Sequence, residues 1–128
     1  MLESLGLADR RRHRPDQLSG GEQQRVAIGR AMIADPAVIL ADEPTGNLDS
    51  ANSRKLCELM HRLCAEQGRT IIAVTHDPGV AMYAHRVLVL KDGRIVETLN
   101  TSAFTSAREL GARFQDILEG EVEAPTCA

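Results

Sequence analysis

Three groups of polar residues in this chain could do phosphate chemistry. Ser19 begins the sequence Ser-Gly-Gly-Glu at residues 19–22, which we name the Ser19 turn, Asp42 and Glu43 follow one apolar run, and His76 follows another. Hydroxyl and backbone N–H groups at a helix start can hold a phosphate, paired carboxylates can hold Mg²⁺ and orient a water, and an imidazole can contact a phosphate oxygen. Together these groups indicate nucleotide hydrolysis.

The Ser19 turn predicts the start of a helix that faces an anion. Ser19 and Glu22 are three residues apart, which is the spacing of a capping box. A cap explains both side chains, but it does not explain two consecutive glycines, which weaken a helix. Gly20 and Gly21 remove side chains at the point where backbone N–H groups could approach a phosphate.

Asp42 and Glu43 follow the run Ala-Val-Ile-Leu-Ala at residues 37–41, which is typical of a parallel strand covered on both faces. We assign Asp42 to Mg²⁺ and Glu43 to the attacking water. Taken alone, such acids can simply cap the following turn.

His76 follows a second apolar run, residues 70–75. Because the carboxyl ends of parallel strands meet at one edge of a sheet, we expect His76 to lie beside the acidic strand. There the imidazole could donate to a terminal phosphate oxygen, whereas a lone histidine can also be purely structural. A metal site built on His76 and Asp77 lacks further ligands at suitable spacing.

The remaining pattern predicts an α/β fold in which helices flank a parallel sheet. The chain starts as the tail of a helix, the first full helix runs to about Asp35, and a second begins after Asp49 or Ser50 and ends at Gly68. The Asp-Gly pair at residues 92–93 predicts a β-hairpin, followed by a C-terminal amphipathic helix and a loose tail from residue 119.

Composition limits the classes of protein that remain. The chain has 128 residues, is 43% hydrophobic and has a formal charge of −3, which fits one domain or part of one and gives no general attraction to nucleic acid. The arginines of residues 10–14 have no interleaved aromatics for base stacking, so we expect them to be solvated. Cys57, Cys64 and Cys127 form no C-x-x-C pair, which favours a reducing compartment.

The order of these motifs resembles the nucleotide-binding subunit of ATP-binding cassette (ABC) transporters. Residues 18–24 resemble the signature motif of that family, residues 38–43 its Walker B strand, residues 47–49 its D-loop, and His76 its switch histidine. The resemblance covers residues 1–97, and residues 41–49 are most similar to the lipoprotein-releasing, macrolide-export and cell-division ATPases.

This resemblance implies a P-loop NTPase-like sheet with ATP and Mg²⁺ as cofactors. It also implies a second ABC ATPase subunit in a head-to-tail dimer, a membrane permease as partner, no nucleic acid, and a cytoplasmic location at the inner or plasma membrane. Residues 1–98 would be the C-terminal part of the ATPase domain, and residues 99–128 a helix and loose tail. The implied roles are catalytic for Glu43 and His76, metal-binding for Asp42, and cofactor-binding for Ser19, Gly20, Gly21, Glu22 and Asp49.

The sequence departs from the family at the phosphate loop, because no Gly-x-x-x-x-Gly-Lys-Ser/Thr segment is present. Its lysines are Lys55 and Lys91, and neither follows a glycine. We therefore expect a sheet without its phosphate-loop strand, an exposed apolar sheet edge, upstream polypeptide that completes the domain, and no ATPase activity of this chain alone. The alternatives are an accessory subunit that lends its signature helix to a complete ABC ATPase, and a soluble ATPase that acts on nucleic acid through residues 10–14.

Overall fold

The computed structural model describes residues 1–120, which fall into two compact units, residues 1–76 and residues 77–120. The loose tail predicted from residue 119 lies almost wholly outside the described residues, as does Cys127. The domain boundary predicted between residues 98 and 99 rests on family resemblance and stays a prediction.

The first unit is built on two parallel strands, β1 (Val38–Asp42) and β2 (Thr70–Val74). The helix α1 (Gly20–Met32) precedes β1, and α2 (Ser50–Gln67) connects the two strands. A helical crossover is the usual connection between parallel neighbours. The predicted parallel sheet with flanking helices is confirmed.

Both helices of this unit begin where the capping signals place them. Ser19 caps α1 and Asp49 caps α2, while Gly68 ends α2 in the left-handed conformation with φ 63°. The helix α1 ends at Met32, earlier than predicted, because Asp35 already adopts a left-handed φ of 52°.

Residues 1–7 form one helical turn with the hydrogen bonds of a helix end, so the predicted helix tail is present: the N–H groups of Leu5, Gly6 and Leu7 donate to Met1 O, Glu3 O and Leu2 O. Two short 3₁₀ helices follow, Ala8–Arg10 and Pro15–Gln17. Gly6 has φ 66°, which interrupts a right-handed helix. Leu5 and Leu7 nevertheless anchor the segment, since they are only 3% and 2% exposed.

One face of the parallel sheet is uncovered by the described residues, so the prediction of strands covered on both faces is wrong for this part of the chain. Ile39 is buried on the other face. The expected exposed apolar sheet edge stays a prediction, because the exposed apolar side chains lie on a face of the sheet. These side chains are Val38 (45% exposed), Leu40 (76%), Ile72 (52%) and Val74 (60%).

The second unit is an antiparallel hairpin with two helices, α3 (Pro78–Ala81) and α4 (Ala107–Glu119). Strands β3 (Arg86–Lys91) and β4 (Arg94–Asn100) are joined at Asp92 and Gly93, whose φ angles of 51° and 73° fit a two-residue hairpin turn. The predicted hairpin and final helix are confirmed. Its buried core consists of Val89, Leu99, Leu110 and Ile117.

Among the helices of residues 1–120, none combines the length and the apolar character that crossing a bilayer requires.

Candidate functional site

The Ser19 turn has the predicted capping box. The N–H of Glu22 donates to Ser19 Oγ at 3.2 Å, and the N–H of Ser19 donates to the carboxylate of Glu22 at 2.9 Å. Because Ser19 Oγ accepts in the first of these bonds, its hydroxyl proton can still be donated to a ligand. Ser19 itself is exposed.

Gly20 and Gly21 carry the N–H groups that this cap does not engage, since the first N–H groups of a helix have no partner within it. A Cβ on Gly21 would lie 2.9 Å from Asn52 Oδ1 and 3.0 Å from Asn52 Cγ, so Gly21 also permits close packing between α1 and α2. A Cβ on Gly20 would lie at an ordinary 3.6 Å from Leu48 Cδ2. Packing therefore explains Gly21 but not Gly20, for which anion access stays a prediction.

The carboxylate of Glu22 makes one further contact, with Nε of Arg10 at 2.8 Å. The hydrogen bond from the N–H of Ser19 and, after it, the one from Arg10 lower the pKa of Glu22 to about 2. Glu22 thus supports the turn with both carboxylate oxygens, and its predicted contact with a cofactor stays a prediction. Arg10, expected to be solvated, has a defined partner.

The strand ends bring Glu43 and His76 together, as the parallel pairing predicts. Nδ1 of His76 lies 2.7 Å from Oε1 of Glu43, and the N–H of Glu43 donates to Val74 O at 2.8 Å. Glu43 has φ 43°, a left-handed conformation that costs a non-glycine residue about 1–3 kcal/mol and often marks functional sites. The side chain of His76 is 87% exposed, so its ring is accessible to a ligand.

Asp42 is the last residue of β1 and is exposed. Residues 1–120 contain no group of three His, Cys, Asp or Glu side chains that could hold a metal ion. Mg²⁺ at nucleotide sites is commonly held by only one or two carboxylates, together with phosphate oxygens and water. Asp42 fits that mode, and its role stays a prediction.

Asp49 shapes the turn before α2. Its carboxylate accepts from the N–H groups of Ala51 and Asn52 at 3.0 and 2.9 Å, and from the side-chain amide of Asn52 at 2.6 Å. These bonds, the one from the Asn52 N–H above all, lower the pKa of Asp49. Its predicted contact with a cofactor is not tested by this geometry.

Asn52 and Arg10 support the site but were not among the predicted site residues. Asn52 donates to the carboxylate of Asp49, and its side chain also packs against Gly21. In the sequence, only its position three residues after Asp49 points to a role in the cap. Arg10 lies twelve residues before Glu22, and no local pattern pairs them.

A shallow cavity of about 150 Å³ connects the Ser19 turn with the acidic strand end, because Gly20 and Glu43 both line it. Sites that hold a whole small molecule usually measure about 300–1,000 Å³. This cavity can therefore hold only part of a nucleotide. Its lining residues are Gly20, Gln23, Gln24, Glu43, Pro44, Asn47 and Leu48.

Known proteins that are similar to this chain in sequence or in fold are ABC transporter proteins. Residues 1–46 match the family model described as ABC transporter. This chain matches the ATPase domain of ABC transporters. The predicted family resemblance is thus confirmed.

Two curated relatives belong to the branch that the sequence suggests. Over 103 residues the chain is 58% identical to a macrolide export ATP-binding/permease protein MacB from Paracoccus denitrificans. This match covers 80% of this chain and 15% of that protein. It is 50% identical over 93 residues to the lipoprotein-releasing system ATP-binding protein LolD from Porphyromonas gingivalis, covering 73% of this chain and 42% of that protein. The chain therefore spans less than half the length of these relatives.

A solved structure agrees in fold as well as in sequence. The ATP-binding cassette MJ0796, in a dimeric post-hydrolysis state bound to ADP and Pi, is 45% identical with a TM-score of 0.65. The match covers 80% of this chain and 46% of that one. The predicted fold class is confirmed.

Proposed function

We propose that this chain supplies the signature turn and the strand-end residues of an ABC-type ATPase that energises export or lipoprotein release through a membrane permease. The 2.7 Å contact between Glu43 and His76 at the carboxyl ends of parallel strands carries this proposal. It is supported by 45% identity to a cassette that binds ADP and Pi.

At the strand ends, each side chain has a task that its position allows. Asp42 holds Mg²⁺, which when bound offsets negative charge on phosphate oxygens. Glu43 orients a water and accepts its proton, and the contact with His76 holds the Glu43 carboxylate in place. When both of its ring nitrogens carry a proton, the exposed imidazole of His76 donates from Nδ1 to Glu43 and from Nε2 to a phosphate oxygen.

The Ser19 turn acts on the nucleotide of a second ATPase subunit in a head-to-tail dimer. The Ser19 hydroxyl and the N–H groups of Gly20 and Gly21 donate to phosphate oxygens there, because the cap does not use them. Asp49 and Asn52 keep the neighbouring turn packed against Gly21. The solved cassette that this chain resembles is itself dimeric.

The phosphate loop comes from polypeptide other than these residues. A cavity of about 150 Å³ is too small for a whole nucleotide, and an apolar sheet face that leaves Leu40 76% exposed needs a cover. The segment that carries the loop covers this face, and the complete ATPase works in the cytoplasm against a permease in the inner or plasma membrane. The chain alone does not hydrolyse ATP.

The test joins this chain to the phosphate-loop part of the ATPase domain of the Paracoccus relative and measures ATP turnover. Glu43→Gln should lower turnover at least about 100-fold, because the water loses its base, while ATP binding persists. Glu109→Gln, in the second unit, is the matched control and should retain normal turnover. Normal turnover of the Glu43→Gln chimera would contradict the assignment.

A second candidate function is a non-catalytic subunit that lends its Ser19 turn to a complete ABC ATPase. It is favoured by two features that this chain forms from its own residues: the Ser19 cap and the close packing of Gly21 against Asn52. This candidate predicts that Glu43→Gln in the chain leaves hydrolysis by such a complex unchanged, whereas the leading proposal requires Glu43 in the reconstituted site.

A further inference from the structure

The Ser19 turn places a negative charge beside the groups that are proposed to receive a phosphate. Glu22 follows Gly20 and Gly21 directly, and its side chain is only 16% exposed. A carboxylate in the first turn stabilises a helix, but it also repels an incoming anion at short range. An anion-binding helix start that keeps Glu22 therefore needs a compensating charge.

Arg10 supplies that charge from outside the motif. Its Nε donates to Oε1 of Glu22 at 2.8 Å, while Oε2 accepts from the N–H of Ser19 at 2.9 Å. The two oxygens thus have separate partners, so the arginine does not compete with the cap. The Arg10 side chain remains 45% exposed, so part of it is accessible to solvent.

The position of Arg10 is fixed by packing rather than by the ion pair alone. Leu5 and Leu7 are buried, and a Cβ on Gly29 would lie 2.6 Å from Leu5 Cδ1. The segment that precedes Arg10 therefore packs closely against α1. The N–H of Arg10 donates to Leu7 O at 2.9 Å. From the α2 side, Arg62 donates to Ser4 O at 3.0 Å.

We infer that Arg10 is a positioning residue of the Ser19 turn, which holds the Glu22 carboxylate in its capping contact and offsets its charge so that a nucleotide phosphate can bind there. This inference rests on the proposed function of the turn. The lowered pKa of Glu22, about 2, agrees with the two contacts that the carboxylate makes.

The first test measures the affinity between this chain and a complete ABC ATPase in the presence of Mg-ATP. Arg10→Gln should weaken ATP-dependent association about threefold to fivefold, as expected for loss of one partly exposed charge. Arg12→Gln removes the same charge from an exposed neighbour and should have a smaller effect.

A double substitution separates this role from a merely structural one. Glu22→Gln keeps a capping side chain but removes the negative charge, so in that background Arg10→Gln should cost no more than Arg12→Gln. An equal loss from Arg10→Gln in both backgrounds would overturn the inference.

The second test needs no nucleotide and follows the Glu22 carboxyl by NMR during acid titration. Its pKa should rise in Arg10→Gln and stay unchanged in Arg12→Gln; an unchanged pKa in Arg10→Gln would overturn the inference. If the unsubstituted chain showed no ATP-dependent association, the proposed function would fail, and the titration would still decide whether Arg10 holds Glu22.

Discussion

Two helices of this chain begin with the same capping residues but differ in what surrounds them. Ser19 caps α1 with Glu22 three residues on, and Ser106 caps α4 with Glu109 three residues on. In both, the serine Oγ accepts from the N–H of the glutamate, at 3.2 and 3.3 Å. The cap of α4 therefore forms without glycines between the serine and the glutamate.

The residues between serine and glutamate show what the Ser19 turn has in addition. The helix α4 has Ala107 and Arg108 at these positions, and Glu109 accepts from the neutral N–H and hydroxyl of Thr105. The helix α1 has two glycines instead, and its glutamate accepts from a cation. The difference indicates that neither the glycines nor the cation is needed to start a helix. Packing against Asn52 explains Gly21, and ligand binding by the Ser19 turn stays a proposal.

The largest effect on stability should come from placing a leucine at the second residue of α1, whereas a leucine at the second residue of α4 should have little effect. Gly21→Leu should destabilise the chain by about 2 kcal/mol, because its Cβ would lie 2.9 Å from Asn52 Oδ1. The matched substitution Arg108→Leu at an exposed site should change stability by less than about 0.5 kcal/mol. Urea denaturation measures both. Equal effects would show that the close approach to Asn52 does not constrain the turn.

A smaller effect should come from removing the caps themselves. Ser19→Ala and Ser106→Ala should each lower the free energy of unfolding by about 1 kcal/mol, since each leaves a helix N–H without its acceptor. The two substitutions should differ in ATP-dependent association with a complete ABC ATPase, which only Ser19→Ala weakens. Equal weakening by Ser106→Ala would mean that the two helix starts do not differ in function.

Local sequence signals predicted most of the elements around the site. Capping residues placed the starts of α1 and α2, and the Asp-Gly pair placed the hairpin turn, because each depends on a few adjacent residues. The contact between Glu43 and His76 also followed from sequence, since two apolar strands of one parallel sheet end at the same edge.

Features that depend on distant residues could not be predicted. The packing reason for Gly21 depends on Asn52, and the partner of Glu22 is Arg10 on an irregular segment. The left-handed backbone of Glu43 has no sequence signature, because a glutamate rarely adopts it. Whether a sheet face is covered depends on which polypeptide packs against it. The sequence pattern of an apolar strand is the same in both cases, so the uncovered face could not be predicted.

The most direct test of the account compares Ser19→Arg with Ser106→Arg in ATP-dependent binding of this chain to a complete ABC ATPase. Both substitutions remove a serine cap, but only the first places a bulky cation in the turn that is proposed to face the phosphate. Ser19→Arg should weaken the ATP-dependent complex at least about tenfold, or about 1.4 kcal/mol, while Ser106→Arg should bind like the unsubstituted chain. Unchanged binding of Ser19→Arg, or tight binding of Mg-ATP by this chain alone, would contradict the account.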